Sequence, residues 1–200
     1  MNPRVFIAGF LGAVAMFVWM FIAHMVLPLG EAGVNEIANE PPVLSALATS
    51  LGTQNGVYLF PGSGLPPNAT SEQRNASMKE YSTKLASSPS GMLVYHGPGA
   101  TFNFPKLLGT EFLLELVESL LAAWLLAMTA LTGIAKRTLF VTVVGVIAAI
   151  ATNGSYWNWY GFPGGYTASY MFTQTMGFLC AGVAIAWIMR SAPRSRVRAA

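Results

Sequence analysis

Residues 5–27 read VFIAGFLGAVAMFVWMFIAHMVL, and residues 107–131 read LLGTEFLLELVESLLAAWLLAMTAL. The first stretch has one titratable side chain, His24. The second has three, Glu111, Glu115 and Glu118. A bilayer core about 30 Å thick is crossed by roughly 20 apolar residues in helix, so both stretches can span it. Residues 139–160 and 166–189 are of the same kind. Each of the four is bounded by Pro, Gly or basic residues, the usual helix stops. The fold class that follows is an all-α membrane protein: four transmembrane helices, with a small mixed α/β extracytoplasmic cap between the first two.

Composition agrees. The 200 residues are 54 % apolar and only 10 % charged, with no Asp and a net charge of +3. A soluble domain carries about 25 % charged residues, so this chain cannot cover a water-facing surface. That excludes a soluble enzyme, a disordered tail and a secreted disulfide scaffold. The basic residues form no stripe interleaved with aromatics, so nucleic acid is not an expected partner. The single cysteine, Cys180, lies in an apolar run and reads as a buried, inert thiol. The first apolar core exceeds the roughly 7–15 residues of a signal peptide and no small-x-small site closes it, so it is expected to stay as a helix.

Orientation follows from Lys and Arg near helix ends. Arg4 precedes the first helix, Lys136 and Arg137 fill the turn between the second and third, and Arg190, Arg194, Arg196 and Arg198 follow the fourth. With four helices all fall on one side, which places both termini in the cytoplasm. The expected organisation is helix one within 1–27, the cap at 28–106, helices two to four within 107–189 and a basic cytoplasmic tail at 190–200. The turn expected at 153–166 then faces out with Tyr156, Trp157, Trp159 and Tyr160. Such rings prefer the headgroup level, so they read as an interfacial anchor, with an aromatic lid over a ligand as the alternative.

The cap is too long for a bare connector. Asn39, Glu40, Pro41 and Pro42 look like a helix start, after which Val43, Leu44, Leu47 and Leu51 share one face. Residues 57–60 and 92–95 read as short strands able to pair. Residues 71–85 read as an amphipathic helix carrying Met78, Tyr81 and Leu85. A compact cap resting on the outer helix ends, and not a separate domain, is expected. Asn-x-Ser/Thr triplets at Asn68, Asn75 and Asn153 read as chance.

The chemistry lies in the polar residues inside the apolar spans. Glu111, Glu115 and Glu118 stand at i, i+4 and i+7, on one helix face. His24 falls at a depth similar to Glu111, and Asn153 and Gln174 also fall in the outer half. A carboxylate at a helix centre costs about 2.5–3.5 kcal/mol to insert. With no Lys or Arg within the spans, Glu118 is protonated, faces a wet cavity or holds a cation. Polar glue between helices is the plainer reading of the set. A proton, ion or small-substrate site and a transition-metal site are the alternatives. Met16, Met20 and His24, at i, i+4 and i+8, could supply soft metal ligands or simply pack. Small residues four apart, such as Gly9 and Ala13, Ala8 and Gly12, and Gly177 and Ala181, allow close helix contact.

Three stretches, 24–31 (HMVLPLGE), 56–61 (GVYLFP) and 155–163 (SYWNWYGFP), carry a resemblance. With them the chain resembles small bacterial four-helix integral membrane proteins that have no assigned activity. The resemblance implies a bacterial inner membrane and supplies no catalytic residues. No nucleophile elbow, P-loop, dinucleotide fingerprint or zinc-ligand pair is present. The expected function is an accessory or assembly subunit of a larger membrane complex, in contact with the lipid bilayer and with other subunits or further copies of itself. A small oligomeric transporter or ion- or proton-handling protein is the first alternative. A metal- or quinone-binding redox protein using His24 is the second. The sequence names no cofactor.

Overall fold

The computed structural model describes residues 3–190. Arg194, Arg196 and Arg198, on which part of the orientation argument rests, lie outside the described residues. The chain is mostly helical. Helix α1 (Pro3–Phe21) widens into a π-helical turn at Ile22–Val26, and a 3-10 turn follows at Leu29–Glu31. Then come α2 (Glu40–Leu51), β1 (Gly56–Phe60), α3 (Ser71–Ser87) and β2 (Gly91–Tyr95). Last are α4 (Phe104–Ala127), α5 (Ile134–Ala149), a second π-helical turn at Ile150–Gly154, α6 (Ser155–Tyr160) and α7 (Gly164–Ile188).

Three helices, Pro3–Val26, Ile134–Tyr160 and Gly164–Ile188, are long and apolar enough to cross a membrane. The 24-residue α4 matches them in length but is not among them. Its three glutamates make it too charged for membership on composition.

Several boundaries differ from the sequence expectation. The third apolar helix starts at Ile134, so Lys136 and Arg137 stand in its first turn and the link from α4 is residues 128–133. Residues 153–160 are helical, not a turn. The chain breaks only at 161–163, where Gly161 takes a left-handed φ of 67° that favours glycine and ends α6. The rings of Tyr156, Trp157, Trp159 and Tyr160 are therefore carried on a helix. Cys180 is half-buried, not buried.

Contacts divide the chain into two compact units. Residues 3–35 and 103–190 form one, and Glu36–Phe102 the other. In the helical unit α1 packs along α4 and α7, and α7 packs along α5, while α4 makes few contacts with α5 or α7. Small residues make these approaches possible. A Cβ on Gly9 would lie 2.9 Å from the Leu120 Cα, and one on Gly182 would lie 3.1 Å from the Thr138 carbonyl oxygen. Ala8, Ala122, Ala123, Leu126, Val141 and Ile185 form the core of this part. Arg137 closes its end. Its Nε donates to the Leu131 carbonyl at 2.9 Å and its Nη1 donates to the Met189 carbonyl, so one guanidinium serves carbonyls after α4 and after α7.

The second unit is built around an antiparallel ribbon in which Gly56 faces Tyr95 and Phe60 faces Gly91. Tyr95 is its buried ring. The Tyr95 hydroxyl donates to the Gly52 carbonyl at 2.8 Å, and the ring meets Tyr58 edge-on. Helix α3 begins with a capping box: Thr70 Oγ1 accepts from the Gln73 N–H, and Gln73 Oε1 accepts from the Thr70 N–H. Neither α2 nor α3 buries a residue. Their apolar stripes stay open, with Leu44, Met78 and Leu85 exposed.

Candidate functional site

A cavity of about 320 Å³ lies within the helical unit. Helix α4 supplies Glu111, Glu115 and Glu118 to one wall, because i, i+4 and i+7 positions share a face. Helix α1 supplies Met16 and Met20, the second π turn Thr152 and Asn153, and α7 supplies Tyr170, Thr173 and Gln174. No Lys, Arg or His is among the lining residues.

Glu115 sits deepest of the three. It is 3 % exposed, and neither carboxyl oxygen has a hydrogen-bond partner among the described residues. Nearly all buried polar atoms are paired, so an unpaired carboxyl group facing a cavity asks for a partner from outside the chain. Glu111 and Glu118 line the same cavity at its exposed edge. One turn beyond Glu115, Ser119 is fully buried, its hydroxyl is also unpaired among the described residues, and it packs against Gly12 of α1, which Ile185 of α7 approaches as well.

The opposite wall is a hydrogen-bonded cluster. The Thr152 hydroxyl donates to the Ala148 carbonyl at 2.8 Å, and the Asn153 amide donates to the Ala149 carbonyl at 3.1 Å. Both meet Gln174 Oε1, at 3.3 and 3.4 Å. The π turn thereby holds two polar side chains toward α7, and the same side chains serve carbonyls in the last turn of α5. π turns inside α-helices frequently mark functional sites.

The five residues Glu111, Glu115, Glu118, Asn153 and Gln174 thus line one cavity. His24 does not join them. Its Nδ1 donates to the Met20 carbonyl at 2.9 Å, and its ring meets Tyr170 edge-on at 6.3 Å. In an unbroken α-helix Met16, Met20 and His24 would stack. His24 instead lies within the π turn at Ile22–Val26, where the α-helical repeat is broken. Among the described residues no three His, Cys, Asp or Glu side chains could together hold a metal ion.

Tyr170 and Thr152 were not singled out from the sequence. Tyr166, Tyr170 and Gln174 do recur every four residues, a signal for one shared face; the register of the π turn has no such signal. Tyr170 also ends a ladder of rings. Tyr156 meets Phe162 at 5.3 Å, Phe162 meets Tyr166 at 5.3 Å, and Tyr166 stacks on Tyr170 at 4.4 Å between centroids. Beside this ladder Trp157 and Trp159 are exposed, Trp159 at 76 %. Comparison with protein-family models, curated proteins and solved structures gives no match for this chain.

Proposed function

We propose that this chain is a four-helix integral membrane protein that binds a cationic solute in the carboxylate-lined cavity, as a small ion- or solute-handling protein. The observation that carries this reading is Glu115: among the described residues a buried carboxyl group with no partner, facing a cavity lined by two more carboxylates and no basic side chain. Binding should stabilise the fold by RT ln(1 + [L]/Kd). Purified protein in nanodiscs should therefore melt higher in the presence of a bound cation, and Glu115→Gln should remove the shift. Equal shifts in both proteins across alkali, ammonium and organic cations would defeat the proposal.

Helix α4 is the fourth span. At 24 residues it extends about 36 Å, enough for the bilayer core, and it lies along α1 for much of that length. Arg4, Lys136, Arg137 and Arg190 lie at one end of the helices, and the positive-inside bias supports a cytoplasmic side there, with residues 36–102 outside. The resemblance to small bacterial membrane proteins points to the inner membrane. A cysteine replacing Ser71 should react with an impermeant thiol reagent in intact cells, and one replacing Lys136 should not; the reverse pattern would sink this topology.

An accessory role in a larger complex has one observation in its favour, the exposure of Trp157 and Trp159 on α6. Mild-detergent purification tests it: a stoichiometric partner lost with Trp159→Ala supports it, and a homogeneous species of this chain alone counts against it. The redox reading gains no support from His24, whose Nδ1 is already engaged by the Met20 carbonyl.

A further inference from the structure

The three carboxylates of α4 do not converge. At about 1.5 Å rise per residue, Glu111 and Glu115 stand about 6 Å apart along the axis and Glu115 and Glu118 about 4.5 Å, a row roughly 10 Å long. This is why, among the described residues, no three acidic, histidine or cysteine side chains could enclose a metal ion. A row of separated negative charges is a poor host for a point charge and a good one for an extended cation. The cavity agrees in size: about 320 Å³ is many times the roughly 30 Å³ of one water and falls in the range of small-molecule sites. Its wall also carries apolar side chains, Met16 and Met20 from α1 and Leu114 from α4.

We propose, building on the cation-binding reading above, that the ligand is a linear aliphatic polyamine. Its ammonium groups would stand at Glu111, Glu115 and Glu118, and its methylene segments against Met16, Met20 and Leu114. In an extended chain with bonds near 1.5 Å, amine nitrogens separated by three or four carbons lie about 5–6 Å apart, which matches the carboxylate intervals. Glu115 carries an independent sign of a missing partner, since both its oxygens are buried and unpaired. Tyr170 adds a ring to the same wall, and the ladder through Tyr166, Phe162 and Tyr156 extends from it. Ring faces attract ammonium groups, so the ladder is the approach route.

The test is calorimetric titration of the full chain in nanodiscs with spermidine, putrescine, propylamine and potassium. With one ammonium anchored at Glu115, each further ammonium–carboxylate pair should contribute about tenfold in affinity, so spermidine should bind about tenfold tighter than putrescine and about a hundredfold tighter than propylamine. Glu115→Gln should abolish the calorimetric signal. Glu111→Gln, a change at an exposed edge position that leaves the packing untouched, should bring spermidine down to the affinity of putrescine. Potassium or propylamine binding as tightly as spermidine, with Glu115 still required, would overturn the polyamine assignment and leave the cation reading standing. No Glu115-dependent binding of any of the four would overturn both.

Discussion

The two halves of the helical unit are built from the same kind of helix and solve opposite problems. Toward the Arg137 end, Ala8, Ala122, Ala123, Val141 and Ile185 pack to near-zero exposure, and glycines let the backbones approach. Toward the other end, α1 and α5 both widen into π turns, and glutamates, amides and hydroxyls surround a cavity. In lipid, helices gain little from hiding apolar surface from water, so close packing of small residues does the holding. Polar groups at membrane depth are costly, and persist where they face each other, water or a ligand. The difference teaches that close packing and a polar cavity occupy separate ends of the unit, and the substitutions below should divide stability from the proposed binding.

The largest effect should come from the packed half. Leucine at position 9 cannot fit without moving α1 off α4, because even a Cβ there would sit 2.9 Å from a backbone atom of Leu120. Gly9→Leu should destabilise by about 3 kcal/mol. A fall in melting temperature with aggregation on size exclusion would show it; an unchanged melt would break the account of that half.

Arg137→Ala comes next. It removes two charge-assisted hydrogen bonds to carbonyls that follow α4 and α7, and should cost about 2 kcal/mol. Arg137→Lys should recover only part of this, since an ammonium lacks the fork that reaches both carbonyls. Full rescue by lysine, measured by urea or detergent titration, would show that charge and not geometry holds this end.

The cavity half should respond with the opposite sign. Glu115→Leu replaces an unpaired buried carboxyl group with an apolar side chain of similar volume. It should stabilise the ligand-free protein by about 1 kcal/mol while removing cation binding. A destabilised Glu115→Leu protein would instead mean that the carboxyl group serves as polar glue.

How much of this was legible in the sequence follows the same division. Three of the four apolar spans were readable from length and composition, and the face shared by Glu111, Glu115 and Glu118 and the small-residue pairs because an unbroken α-helix repeats every 3.6 residues. The two strands were readable from their apolar runs between Gly and Pro. What failed was register. Each π turn breaks the simple repeat: His24 lies inside the first and meets Tyr170, and the helix runs on through the second into residues expected to be a turn. No periodicity marks a one-residue insertion. The amphipathic stripes of α2 and α3 were readable as well, although such a pattern shows which face is apolar, not what covers it.

The smallest effect should fall at Trp159. The indole is 76 % exposed and packs on no part of the core, so Trp159→Ala should change bundle stability by no more than about 0.5 kcal/mol. Its consequence lies in placement. An indole at the headgroup level has an apolar body in the acyl boundary and an N–H among the headgroups. Tryptophan fluorescence read against lipids brominated at successive depths tests this, with Trp159 kept as the single tryptophan by replacing the others with phenylalanine. Quenching should be strongest for bromines near the headgroups and weak for those at the bilayer centre. The comparison of the two halves sharpens if Trp124, toward the Arg137 end of α4, gives the same shallow profile when it is kept alone: both ends of the bundle would then be fixed at an interface, with the carboxylate row between them. A deep profile for Trp159 would place α6 inside the hydrocarbon and remove the aromatic end of the ladder from the water side of the cavity.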